Sequence, residues 1–74
     1  MNKDIRFGTL AVENGMVTPG QIGMAVSIQM REDLKDNLHR FLGEILVEIG
    51  FMDTSQVNEI LDRQAGFQNS LNSS

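Results

Sequence analysis

A repeat with an offset of thirty-five residues constrains the fold of this chain more than any other feature of its sequence. The offset pairs Gly8 with Gly43, and each glycine lies inside a segment with the apolar spacing of a short helix. A glycine inside a helix costs about 1 kcal/mol relative to alanine, so glycines at two equivalent positions need a reason. The reason we expect is that the missing side chain lets a neighbouring backbone or a ligand come close to the helix. The offset also pairs Val12 with Val47, Glu13 with Glu48, Gly15 with Gly50, Gln21 with Gln56 and Gln29 with Gln64.

The signals that start and stop helices recur at the same offset. Thr18-Pro19-Gly20-Gln21 and Asp53-Thr54-Ser55-Gln56 both have the residue types of a capping box. Gly15 and Gly50 supply the stops, since glycine readily adopts the left-handed conformation that ends helices. The pattern predicts a duplicated helix-turn-helix unit, with repeat one at about residues 5–29 and repeat two at about residues 40–64.

The fold expected from this duplication is all-α. Neither unit buries its apolar face alone, so we expect the two to pack into one small bundle of about four helices. The predicted domain covers residues 1–67, and the polar residues 68–74 are expected to form a disordered tail.

Composition and charge exclude several classes of protein. The chain has 74 residues and no cysteine, so it forms one small domain without a disulfide or a cysteine-based zinc site. Its net charge is −4, and the excess of carboxylates lies from Asp36 onward, which disfavours binding to a nucleic-acid polymer. No signal peptide or membrane-spanning run is recognisable, so we expect a cytoplasmic protein without direct membrane insertion.

No constellation of catalytic residues is visible. His39 is the only histidine, and without a cysteine or a second histidine it is interpreted as a surface residue near a helix start. The chain has no P-loop motif, and its carboxylates fit solvated helix faces. We therefore predict a protein that is not an enzyme, with no catalytic residues, no metal site and no required cofactor.

The two repeats resemble a known motif that opens with Arg-Leu-Gly, carries a second glycine and closes with glutamine. The first copy reads Arg6-Phe7-Gly8, Gly15-Met16-Val17 and Gln29, and the second carries Leu42-Gly43-Glu44, Gly50 and Gln64. This motif belongs to the N-terminal domain of type II secretion and type IV pilus assembly ATPases, the MshEN domain. The resemblance covers about residues 5–65 and implies a non-enzymatic regulatory or docking module.

The resemblance also implies a candidate ligand, cyclic di-GMP, which the paired motifs hold in ligand-binding members of that family. Carried over residue by residue, one half-site comprises Arg6, Phe7, Gly8, Gly15 and Gln29, and the other comprises Leu42, Gly43, Gly50 and Gln64. In the second copy Phe41 stands at the position of the motif arginine and Arg40 precedes it, so Arg40 is included as a candidate.

A second hypothesis needs no ligand. Interior glycines permit tight helix packing, and glutamines can pair between repeats, so the same pattern suits a structural protein–protein interaction domain or a homodimer. The expected partner is then a larger protein or a second copy of the chain.

Overall fold

The structure is a computed structural model that describes residues 3–36 and 39–72. In this part the chain folds into a bundle of four helices. Residues 1, 2, 37, 38, 73 and 74 of the predicted domain and tail lie outside this part. No strand is present among the described residues, so the all-α prediction is confirmed. The helices are α1 (Lys3–Glu13), α2 (Pro19–Asp36), α3 (Leu42–Glu48) and α4 (Thr54–Asn72).

Both predicted glycine stops have the left-handed geometry. Gly15 has φ 71° and Gly50 has φ 87°. After α1, the Met16 N–H donates to the Ala11 carbonyl at 3.0 Å, and after α3 the Phe51 N–H donates to the Leu46 carbonyl at 2.9 Å. These are the six-to-one hydrogen bonds of a Schellman motif, which turn the chain back toward the next helix.

Both predicted capping boxes are formed. The Gln21 N–H donates to Thr18 Oγ1 at 3.1 Å, and the Thr18 N–H donates to Gln21 Oε1 at 2.9 Å. The same pair of bonds joins Asp53 and Gln56, at 2.8 and 3.0 Å. Each box pairs backbone N–H groups that the first turn of α2 or α4 would otherwise leave without a partner.

Helix α3 lies at the centre of the bundle and contacts α1, α2 and α4. It has only seven residues, too few to be stable alone in water, so its stability comes from packing. Leu42, Ile45 and Leu46 on α3 are almost completely buried. The rest of the buried apolar core comes from the other helices and the two turns, namely Phe7, Ala11, Val17, Ala25, Met52, Val57 and Ile60.

Helix α4 runs through Asn72 and so includes part of the stretch from residue 68 that was predicted as a tail. No proline interrupts this stretch, and each residue added to an existing helix gains one backbone hydrogen bond. The long helices α2 and α4 are rich in polar residues, and none of the described helices is apolar and long enough to cross a membrane.

Candidate functional site

An open groove lies between α1 and the first turns of α2 and α3. It has a volume of about 370 Å³, and most of its lining is apolar. Helix α1 supplies one wall along its length, while Pro19 and Ile22 of α2 and Leu42 of α3 supply the other. The α1 residues along it are Asp4, Ile5, Gly8, Thr9, Val12 and Glu13. Two residues of the predicted half-sites, Gly8 and Leu42, therefore lie in the same groove.

Gly8 keeps this groove open where the helices come together. A Cβ atom added at Gly8 would lie 3.4 Å from Ile22 Cγ2 and 3.5 Å from Leu42 Cδ2. These are ordinary van der Waals distances, so packing alone does not require a glycine at this position. A larger side chain on Gly8 would lie between Ile22 and Leu42 and would fill part of the groove.

Gly43 has a different environment, although it is the repeat partner of Gly8. A Cβ atom on Gly43 would lie 2.8 Å from Phe41 Cε2, which is too close, and 3.1 Å from Phe7 Cζ, which is a tight contact. The two rings pack edge to face with their centroids 5.0 Å apart, and Phe7 is fully buried. Packing of the Phe7–Phe41 pair therefore explains Gly43, and Phe7 belongs to the core in this structure.

Arg6 lies beside a second groove of about 400 Å³ along α1. Ile5, Thr9 and Glu13 line both grooves, and their spacing of four residues places them in one ridge on the helix surface. This ridge separates Arg6 from Gly8, although both residues were predicted to belong to the first half-site.

A network of polar side chains adjoins the first groove at Asp4, the one member of the network that lines it. We call Asp4, Gln29, Asp33 and His39 the Asp4 cluster. Asp4 is buried, and its Oδ1 accepts the N–H of Leu42 at 3.1 Å. Its Oδ2 accepts Gln29 Nε2 at 3.0 Å and lies 2.8 Å from His39 Nε2. Asp4 thereby ties α1 to α2, to the segment before α3 and to the first amide of α3.

The Asp4 cluster also contacts the backbone of the segment before α3. Gln29 Nε2 donates to the Arg40 carbonyl at 2.7 Å, so the buried predicted residue Gln29 fastens α2 to the segment before α3. Residue Phe41, which precedes α3, makes no side-chain capping bond, and the Asp4 carboxylate performs that function from thirty-eight positions away. Gln29 is accordingly a structural tie between helices.

The protonation of the cluster follows from these contacts. Burial is the largest influence on Asp4 and raises its pKa, but hydrogen bonds from the Leu42 N–H, His39 and Gln29 together bring that pKa below its ordinary value. The pKa of His39 is raised, first by its hydrogen bond to Asp33 and then by that to Asp4. Asp4 is therefore ionised at neutral pH, and its charge favours the imidazolium form of His39. No group of His, Asp and Glu side chains in residues 3–36 and 39–72 is arranged to hold a metal ion.

Arg40 is held by two glutamates. Its Nε and Nη2 donate to Glu32 at 2.9 and 2.7 Å, and its Nη1 donates to Glu48 at 2.6 Å. The hydrogen bond from Arg40 holds the pKa of Glu32 below its usual value, and those to Glu32 and Glu48 raise the pKa of Arg40. The guanidinium links α2 to α3, and a ligand phosphate would compete with both carboxylates for it.

The remaining predicted residues lie elsewhere. Gly15 and Gly50 form the turns described above, and neither lines the two grooves. Gln64 on α4 is buried, and its Oε1 has no hydrogen-bond partner within the part of the chain that the structure describes. Of the ten predicted residues, Gly8 and Leu42 share one groove and Arg6 lies beside the adjoining one.

Asp4 and Asp33 were absent from the residues singled out in the sequence. His39 was interpreted as a surface residue near a helix start, and it is exposed shortly before α3, but its contacts with two carboxylates were not foreseen. The offset of thirty-five residues also pairs Asp4 with His39, which was a signal that these positions correspond. Their contact at 2.8 Å depends on how α1 meets the segment before α3, and no local pattern encodes that.

Comparison with known proteins adds no further assignment. No protein family, curated protein or solved structure matches this chain. The resemblance to the secretion-ATPase N-terminal domain therefore rests on the motif residues alone.

Proposed function

We propose that this domain is a non-enzymatic, cytoplasmic docking module that binds an apolar, positively charged helical segment of a partner protein in the groove beside Gly8. The observation that carries the proposal is Gly8 itself, whose small size leaves room between Ile22 and Leu42 that packing does not demand. Gly8 lowers helix stability without being required for packing, so we explain it by a partner that comes close to the helix at this position.

Charge indicates the chemistry of the partner. The groove has two acidic residues in its lining, Asp4 and Glu13. Asp4 is buried and its carboxylate is bound by the Leu42 N–H, Gln29 and His39, so the exposed Glu13 is the carboxylate that a partner meets. A segment with an apolar stripe and a basic side chain near Glu13 matches this surface, and the net charge of −4 favours its approach.

Two labelled peptides test this proposal. Both carry the same leucine stripe at helical spacing; one is flanked by lysines and the other by glutamates. In fluorescence anisotropy we expect the lysine-flanked peptide to bind in the micromolar range and to weaken with added salt, and the glutamate-flanked peptide to bind much more weakly. Absence of binding by either peptide contradicts the proposal.

The matched variants are Gly8→Leu and Gly23→Leu. Both place leucine in a helix, but a Cβ at Gly23 meets nothing within 4 Å, and Gly23 lines neither groove. Gly8→Leu should abolish peptide binding and Gly23→Leu should retain it. Gly8→Ala, which fits without a clash, is the milder form if the leucine variant does not fold. Equal binding by the two leucine variants contradicts a site at Gly8.

A second copy of the chain is the competing occupant. Sedimentation velocity across a concentration series distinguishes it, because a homodimer through this groove would double the mass and would revert to monomer in Gly8→Leu. That outcome would show that the groove binds a second copy of the chain and not a segment of another protein.

Cyclic di-GMP is the second candidate, supported by the motif resemblance and by the position of Arg6 across one ridge from Gly8 and Leu42. The dianion would need a cation, and Arg40 is already bound by Glu32 and Glu48. Calorimetric titration tests it: Arg6→Ala should weaken binding strongly and Arg40→Ala much less. No heat at micromolar protein leaves the peptide-docking proposal alone.

A further inference from the structure

We propose that His39 acts as a pH-dependent clasp beside the groove: its protonated ring bridges Asp4 of α1 and Asp33 of α2, and its neutral ring gives up one of these two contacts, while Gln29 still joins α1 to α2. The clasp regulates the groove to which we assigned docking, so its consequence for binding rests on that proposed function. The clasp itself is a property of the free domain and is tested without a partner.

The geometry of the ring carries the inference. His39 Nε2 lies 2.8 Å from Asp4 Oδ2, and His39 Nδ1 lies 3.0 Å from Asp33 Oδ2. A neutral imidazole has one N–H donor, so it can donate to only one of these carboxylates and must turn a lone pair toward the other. An imidazolium donates to both. The observed contacts are therefore satisfied together only by the protonated ring.

The clasp is coupled to the groove through Asp4. Oδ2 of Asp4 faces His39, while Oδ1 accepts the N–H of Leu42, and both Asp4 and Leu42 line the groove. Loss of the ring proton leaves Asp4 and Asp33 without the cation between them. The segment carrying His39 is then less firmly held, and this segment leads directly into α3 and Leu42.

The other charges around the ring act in the same direction. From α1 the ring meets Asp4, and from α2 it meets Asp33. In the same segment Arg40 is adjacent, but its charge is countered by Glu32 of α2 and Glu48 of α3. The carboxylates that face His39 thus favour the cation, consistent with its raised pKa.

The direction of the pH effect follows from that shift. A histidine whose pKa is raised in the folded state stabilises that state, and its contribution is complete below the ordinary pKa of 6.5. The contribution to stability is lost as the pH rises through the higher pKa of the folded state. We therefore expect the clasp to be closed below pH 6.5 and to open as the pH rises through the raised pKa of His39.

Nuclear magnetic resonance of the free domain tests the clasp, because His39 is the only histidine and its ring signals are unambiguous. We expect its ring to titrate above 6.5 and the amides of Leu42 and Gly8 to follow with the same midpoint. A midpoint at or below 6.5 would overturn the proposal, as would groove amides that do not respond.

Variants separate the clasp from general electrostatics. Asp33→Asn should lower the midpoint of His39 without removing the Asp4–Leu42 hydrogen bond, whereas Asp62→Asn on an exposed part of α4 should leave it unchanged. His39→Gln, with its fold checked by circular dichroism, should abolish the amide titration at Leu42. Equal effects of the two asparagine variants would show that the response is not specific to the clasp.

A binding experiment then connects the clasp to docking. A peptide with the same leucine stripe and uncharged serine flanks, which does not respond to the change in charge at His39, should bind the wild-type domain about fivefold more tightly at pH 6 than at pH 8, a size typical of coupling between sites. The His39→Gln variant should show no such difference. If the ring and amide titrations are as expected but the peptide binds at neither pH, the docking function fails and the clasp stands.

Discussion

Gly8 and Gly43 occupy the same position in the two halves of the sequence, yet the structure gives them different neighbours. Around Gly43 two aromatic rings approach within the space that a side chain would need, while Gly8 faces an open groove that would accommodate one. The same residue at the same repeat position therefore serves packing in the second half and leaves a site open in the first.

The core shows the same division between the halves. At the offset of thirty-five residues, Ala11 corresponds to Leu46 and Ala25 corresponds to Ile60, and all four side chains are completely buried. In these two pairs the second half supplies the larger apolar group, although the first half also contributes the fully buried Phe7. We infer that α3 and α4 provide most of the apolar stabilisation, while α1 and the start of α2 form the candidate site.

The two buried glutamines complete the comparison. Gln29 donates to Asp4 and to the Arg40 carbonyl, whereas Gln64 keeps a buried oxygen without a partner among the described residues. A repeat copies residue types, but the residues that face them come from other parts of the chain and differ between the copies.

The largest expected effect contrasts Ile45 with its repeat partner Leu10. Ile45 is completely buried in α3 and Leu10 is half-buried in α1. Ile45→Ala should lower the free energy of unfolding by about 2–5 kcal/mol, and Leu10→Ala by about half as much, because less surface is removed from the core. Urea denaturation measures both. Since a domain of this size has little stability to lose, Ile45→Val, expected to cost about 1 kcal/mol, serves if the alanine variant does not fold. Equal losses at the two positions would refute the asymmetry of the core.

The second prediction contrasts the glutamines. Gln29→Leu should lower the free energy of unfolding by about 1–3 kcal/mol, because the Arg40 carbonyl and buried Asp4 lose a donor. Gln64→Leu should be neutral or slightly stabilising, since it removes an acceptor that is buried without a partner in the described part of the chain. Thermal unfolding of both variants checks the difference, and a costly Gln64→Leu would show that Gln64 makes a bond of its own.

The smallest expected effect concerns the glycines. Gly43→Ala gains about 1 kcal/mol of helix propensity. It also places a Cβ 2.8 Å from Phe41 Cε2, and overpacking of this kind costs about 1–3 kcal/mol. We therefore expect the free energy of unfolding to fall by about 1 kcal/mol. Gly8→Ala has room for its Cβ and should gain up to about 1 kcal/mol. Denaturation curves of the pair measure this difference. A destabilising Gly8→Ala would mean that Gly8 serves packing as Gly43 does.

Much of the fold was predictable because its signals are local. The capping boxes at Thr18 and Asp53 and the stops at Gly15 and Gly50 appear where the residue types placed them. Each relies on hydrogen bonds between residues three to five positions apart. The end of α4 was not predictable in the same way, because polar composition without a breaker fits either a helix or a tail.

The candidate site was only partly predictable. Gly8 and Leu42 were singled out from the motif and do meet in one groove, but the sequence did not separate them from Gly43 or Phe7. Asp4, Asp33 and His39 carry ordinary polar side chains at unremarkable spacings, and their roles follow from the helices that bring them together.

The sequence by itself determined the all-α class, the two capping boxes and the two glycine turns, since these depend on backbone conformation and hydrogen bonds within one or two helical turns. The tertiary structure alone decided which glycine faces a groove, which glutamine finds partners and that His39 lies between two carboxylates. Those outcomes depend on contacts such as Asp4 with Leu42, thirty-eight positions apart, and such contacts exist only after the helices have packed.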